Sequence, residues 1–210
     1  MRVLKKTVSK DDVSKMPMAA FQGRIVVVDT EENAGKAVDA LKGFPVVGID
    51  TETRPSFKKG RLNKVALLQV AADDSCFLFR LNRCGMAPSL VDFLENPQTV
   101  KVGLSLRDDF RALHHRADFE PQGYVELQDY VKDFGIQDNS LQKIYANLFG
   151  CRISKSQRLS NWEAEELTEA QQVYAATDAW ACLRIYALLH ELHASNDYVL
   201  ADDNVNREEE

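Results

Sequence analysis

The chain of 210 residues carries 32 acidic and 26 basic side chains, a formal net charge of -6, with 45% apolar residues, ten glycines and six prolines. That length suits one compact domain with a full core, and the composition argues against a disordered, collagenous or membrane-spanning chain. The negative balance also argues against a protein that coats nucleic acid through a broadly basic surface, while permitting a local basic patch.

The opening stretch MRVLKKTVSKDDVSK has no apolar run of signal-peptide length. Cys76, Cys84, Cys151 and Cys182 form no CxxC pair and read as reduced packing residues, so a cytoplasmic protein is expected. Residues 1–19 read as a polar lead, 20–195 as the folded domain and 196–210 as an acidic, mobile tail. Within the domain, GRIVVVD predicts a strand, EENAGKAVDALKG a helix closed by Gly43, and FPVVGIDTE a second strand. NKVALLQVAA and SCFLFRL, separated by the turn residues DDS, predict a hairpin. APSLVDFLEN predicts a helix and TVKVGLSL a buried strand. RDDFRALHHR, NSLQKIYANLFG and TEAQQVYAATDAWACLRIYALLHELHA follow with helical spacing of apolar residues, the second with Asn139 or Ser140 as N-cap and Gly150 as its stop. Strands first and helices after predict an α/β fold, a central mixed sheet flanked by helices.

Acids mark three places in this pattern. Asp50 and Glu52 stand two apart on a predicted strand, so their side chains share a face. Carboxylates about 4 Å apart repel by roughly 4 kcal/mol at an effective dielectric near 20. Either a divalent cation relieves the pair, or the strand frays here and both acids are solvated. Asp108 and Asp109 lie where a buried strand meets a helix, a place where open α/β sheets gather ligands and where helix caps are also acidic. Tyr174 and Asp178 are four apart on one helix face, among Val173, Ala175, Ala176, Ala179, Trp180 and Leu183. A carboxylate in that company needs a partner.

Taken together, DTE, VGLSLRDDFRAL and YAATD resemble in order and spacing the three motifs of the DEDD superfamily of 3'-5' exonucleases, in the subclass marked by Tyr-x-x-x-Asp. ISKSQRLSNWEAEELTEAQQVYAATD is also similar to ribonuclease D and Werner-type exonuclease domains, and the resemblance covers residues 25–192. It implies an RNase H-like fold, a mixed central sheet with its first three strands antiparallel and helices on both faces. It implies hydrolysis of terminal phosphodiester bonds of DNA or RNA, releasing nucleoside 5'-monophosphates, with two Mg²⁺ or Mn²⁺ ions, hard cations that prefer carboxylate oxygen. In that scheme Asp50 bridges the ions, Glu52 and Asp178 complete the nucleophile-side metal, Asp109 holds the other largely through water, and Tyr174 orients the attacking water. The spacings Gly103 to Asp109 and Asp109 to Leu113 select Asp109 over Asp108. Ser105 replaces the asparagine usual four residues before that aspartate. A non-catalytic nucleic-acid-binding module on the same scaffold is the alternative, and the complete set of acids argues against it.

The loop RPSFKKGRLNK follows the acidic pair and carries Arg54, Lys58, Lys59, Arg61 and Lys64 beside Phe57. It reads either as a patch for phosphate contact and base stacking or as a solvated loop. Lys155 and Arg158 form a second candidate patch, and Trp162 reads as the anchor that packs their loop. The pairs His114–His115 and His190–His193 lack the HExxH spacing, so no zinc is expected.

Overall fold

The computed structural model describes residues 1–58, 60 and 62–201, so Lys59, Arg61 and most of the acidic tail lie outside the described residues. In chain order the elements are β1 (Arg2–Leu4), α1 (Lys10–Lys15), β2 (Arg24–Val28), α2 (Glu31–Leu41), β3 (Val46–Thr53), β4 (Val65–Ala72), β5 (Ser75–Arg80), α3 (Pro88–Glu95) and β6 (Val100–Gly103). There follow α4 (Leu106–Leu113), β7 (Tyr124–Glu126), α5 (Leu127–Tyr130) running into a 3-10 turn (Val131–Phe134), α6 (Leu141–Phe149), α7 (Glu169–Ser195) and β8 (Tyr198–Leu200).

Six strands form one mixed sheet in the order β2-β5-β4-β3-β6-β7. The antiparallel trio is β3, β4 and β5, which places β4 in the middle and buries all eight of its residues. A strand covered on both faces needs apolar residues at consecutive positions, and VALLQVAA supplies them with one exception, Gln69. β2 precedes the trio in the chain and lies at the edge, parallel to β5, so the first strand of the sheet is outside the antiparallel set implied by the resemblance. β6 and β7 extend the other side in parallel.

Helices α2, α3 and α4 cover one face, where Val38, Leu41, Ile49, Leu68, Phe93 and Phe110 meet. The other face carries α7, against Leu67, Ala71 and Leu78, with α6 packed beside it. This two-sided arrangement is the RNase H-like architecture. α7 begins with a capping box between Thr168 and Gln171, which fixes its first turn. It then crosses β3 at Gly48, where a Cβ would lie 2.0 Å from the Ala179 carbonyl oxygen. Glycine there lets the helix backbone settle directly on the strand, two residues from Asp50.

The fold reaches beyond residues 20–195 at both ends. β1 pairs in parallel with β8, so the first and last described segments close on each other. α1 starts at Ser9, whose hydroxyl accepts from the Asp12 N–H, and packs Val13 against Ala146 of α6. Residues read as a polar lead outside the folded domain are therefore part of the packed molecule. Among the described residues no helix is long and apolar enough to cross a membrane.

Candidate active site

Asp50 and Glu52 project from the same face of β3, and the ladder to β4 slips between Glu52 and Thr53. A bulge at this position ends the regular pairing just where the acids stand. Above them, the turn of α7 that leads into the Gly48 crossing presents Asp178. One carboxylate oxygen each from Asp50, Glu52 and Asp178 lie within 4.8 Å of one another. Side chains 126 positions apart are thus brought together by helix-on-strand packing.

Asp109 approaches from the first turns of α4, and its Oδ1 accepts a 2.6 Å hydrogen bond from the Thr51 hydroxyl on β3. Its neighbour Asp108 points to solvent and pairs with Arg111 at 2.8 Å. Of the two adjacent acids, Asp109 is therefore the one turned toward β3. Ser105 begins α4 in the left-handed region, at φ 67°. Asparagine tolerates that backbone better than serine, a physical reason for the residue that Ser105 replaces. The strained start is held by a group the sequence reading missed. Glu126 at the end of β7 accepts from the N–H groups of Ser105 (2.9 Å) and Leu106 (2.7 Å).

Burial and crowding make ionisation costly here. Glu52 is pushed up to about 9 by burial first and then by Asp178 and Asp109, with Arg158 opposing. Asp178 is raised to about 7 by burial, while the Tyr174 hydroxyl that donates to it and the charge of Lys155 pull the other way. Asp109 is raised to about 6, again by burial, against the hydrogen bond from Thr51. Asp50 retains some solvent contact but lies amid the other three, and burial with the charges of Asp109, Asp178 and Glu52 lifts it well above the ordinary carboxylate range. Such a group is stable with shared protons or with bound cations, and its donors are all carboxylate oxygens, with no nitrogen or sulfur in the cluster. That set fits a hard divalent ion.

Tyr174 is 8% exposed, and burial with the charges of Asp178, Glu52 and Asp50 drives its phenol far above its usual value. It lines a cleft shared with Asp178, Lys155 and Arg158. Trp162 is fully buried with its ring 6.0 Å from that of Tyr174, so it anchors the 154–167 loop. Arg80 of β5 ties the same loop by donating to the carbonyls of Ala164 and of Glu165 (2.6 Å). Arg54 pairs with Glu163 at 3.2 Å, joining the loop after β3 to it as well. Phe57, 88% exposed, and Lys58 stand in solvent on that loop, and Lys59 and Arg61 fall outside the described residues. Gln69 was also missed. It lies opposite Asp50 across the β3–β4 ladder, wholly buried, and among the described residues neither polar atom of its amide has a partner.

An RNase H-like sheet with carboxylates from β3, α4 and α7 brought together on it is the architecture of a nuclease domain, and comparison with known proteins agrees. The chain matches the 3'-5' exonuclease family over residues 25–193 and belongs to it. It is 35% identical over 158 residues to the mouse bifunctional 3'-5' exonuclease/ATP-dependent helicase WRN, a match spanning 72% of this chain and 11% of that protein. It is 32% identical over 192 residues to an Arabidopsis thaliana 3'-5' exonuclease, covering 84% of this chain and 67% of the relative. Among solved structures, the EXO domain of Aedes aegypti Nibbler superposes with a TM-score of 0.73 at 19% identity, over 83% of this chain and 91% of that one.

Proposed function

We propose that this chain is a metal-dependent 3'-5' exonuclease that hydrolyses the terminal phosphodiester bond of DNA or RNA and releases nucleoside 5'-monophosphates. The observation that carries the reading is the convergence of Asp50, Glu52 and Asp178 within 4.8 Å, with Asp109 tethered to the intervening Thr51. Those four side chains would hold Mg²⁺ or Mn²⁺, which when bound supply a nucleophilic hydroxide and neutralise charge on the departing 3' oxygen. The residues supply position and charge. Asp50 feels the charges of Asp109, Asp178 and Glu52 alike, so its carboxylate is the one that cations held by this group would relieve most. Burial keeps the Tyr174 phenol protonated at neutral pH, and its hydroxyl, which donates to Asp178, would orient the attacking water. Lys155 and Arg158 partly offset the acids' repulsion of a polyanion.

The reading is tested by digestion of single- and double-stranded DNA and RNA of one sequence, labelled at either end, with Mn²⁺, Mg²⁺ or EDTA. Shortening from the 3' end with metal, and none with EDTA, is expected; no metal-dependent product on any substrate would overturn it. Tyr174→Phe should lower kcat by about a hundredfold while KM changes little, because the lost hydroxyl acts on water rather than on the strand. A rise in KM with unchanged kcat would assign Tyr174 to substrate binding. Asp109→Asn should cost far more activity than Asp108→Asn, whose carboxylate faces solvent. Equal losses in the two variants would refute the choice of Asp109.

A further inference from the structure

Beside the acidic site a second cleft of about 300 Å³ opens between α1, the start of α6 and the loop after Cys151. Lys10, Lys143, Arg152 and Lys155 line it, and among the described residues no aspartate or glutamate does. That local balance is unusual in a chain of net charge -6. Asp11 and Asp12, the sequence neighbours of Lys10, are not on its walls, and Asp12 accepts a hydrogen bond from Ser9 instead. The four cations are not equivalent. Lys143 is partly neutralised by Asp138 at 3.1 Å, whereas Lys10 and Lys155 are exposed. Arg152 donates from Nε to the Met16 carbonyl (3.0 Å), which fixes its guanidinium beside the end of α1.

Ser140, Gln142 and Lys155 line both this cleft and the one that holds Tyr174 and Asp178. The two therefore adjoin across these three side chains, a trough in two parts that runs from the carboxylates to α1. Its far wall is firm, because α1 is packed on α6 and the chain before it is tied by the Val8 N–H to Asp138 (2.9 Å) and by the pairing of β1 with β8.

We propose that this trough is a binding track for the backbone of single-stranded nucleic acid, taking the phosphates on the 5' side of the linkage at the acidic site. The proposal rests on the exonuclease reading above. A row of cations contacts phosphates and carries no sequence information. No aromatic ring lines the cleft among the described residues, so base stacking adds nothing there and recognition is indifferent to sequence. A cleft of about 300 Å³ has room for one strand rather than for a duplex. The lead segment, through Lys10, thereby becomes part of the substrate site.

The test measures binding of a labelled twelve-nucleotide single strand to Asp50→Asn protein, which binds without degrading it, between 50 and 200 mM salt. Adding Lys10→Ala should weaken binding several-fold at 50 mM and flatten the plot of log affinity against log salt by about 0.7, the loss of one single-strand phosphate contact. Lys10→Glu should weaken it further, and Lys10→Arg should restore the parent behaviour, which separates charge from any effect on folding. Lys10 is the first residue of α1, where glutamate suits the helix dipole, so Lys10→Glu should melt at the parent temperature. Unchanged affinity and salt slope in Lys10→Glu would overturn the track, as would tighter binding of a blunt duplex than of the single strand. Digestion by the wild-type protein is a separate readout: its absence would sink the exonuclease reading, and its presence beside a silent Lys10→Glu would sink the track alone.

Discussion

Asp50→Asn will reduce hydrolysis by on the order of a thousandfold or more, about 4 kcal/mol of barrier, and will raise the melting temperature of the metal-free protein above pH 8. Both effects have one cause. Asp50 is the acid whose charge is opposed by all three of its neighbours, Asp109, Asp178 and Glu52. Asparagine keeps its size but cannot ionise, so one repelling charge leaves the cluster while the packing of β3 against α7 remains. A gain of 1–2 kcal/mol would appear as about 2–8 °C in a domain of this size. The same substitution removes a donor from the cation site, so the rise in melting temperature that Mn²⁺ gives the wild-type protein should largely vanish. Differential scanning measurements with EDTA and with Mn²⁺, beside a digestion assay, separate these effects. A variant that still cleaves at the wild-type rate would exclude Asp50 from the chemistry. One that is inactive but also unfolds at a much lower temperature would show that its carboxylate supports the fold.

The parts of the site legible in the sequence are those governed by local periodicity. Asp50 and Glu52 share a face because strands repeat every two residues, and Tyr174 and Asp178 share one because they are four apart on a helix. Regular elements also carry the sheet and its major helices, since β-branched runs and capped amphipathic stretches have strong local signals. What local pattern misses depends on closure of the chain. Glu126 sits in a strand of three residues and gains meaning only when β6 and β7 pair and bring it beneath the start of α4. β1 and β8 are each three residues long and stabilise one another across 196 positions, so neither announces itself alone. Gln69 is hidden differently. It interrupts an otherwise apolar strand and reads as a tolerated polar residue until the ladder sets it opposite Asp50. Lys10 belongs to the same class, a surface lysine by sequence that the packing of α1 on α6 turns toward a cleft.

Stability of the metal-free protein should fall as pH rises from about 5 to 9, and saturating Mn²⁺ should remove most of that fall. An acid whose pKa is raised by folding holds its proton more tightly in the folded state than in the unfolded chain. Its contribution is complete below the unfolded carboxylate range near 4 and is lost as pH climbs through the folded values. Those values are about 6 for Asp109, about 7 for Asp178 and about 9 for Glu52, so the loss is spread over the whole neutral range. A cation at the same oxygens replaces the protons and reverses the effect. At 100 times its dissociation constant, Mn²⁺ adds about 2.7 kcal/mol, a shift of about 5–11 °C for a domain of this length. Because protons and cations compete for the same carboxylates, the shift at fixed Mn²⁺ should be small at pH 5.5 and large at pH 8.5. Melting curves at pH 5.5, 7 and 8.5, with EDTA and with Mn²⁺, decide the matter. A Mn²⁺ shift of equal size at all three values would mean that the ion binds elsewhere, at groups that do not titrate in this range, and no shift at any pH would leave the four acids as an unrelieved cluster with no cation to hold.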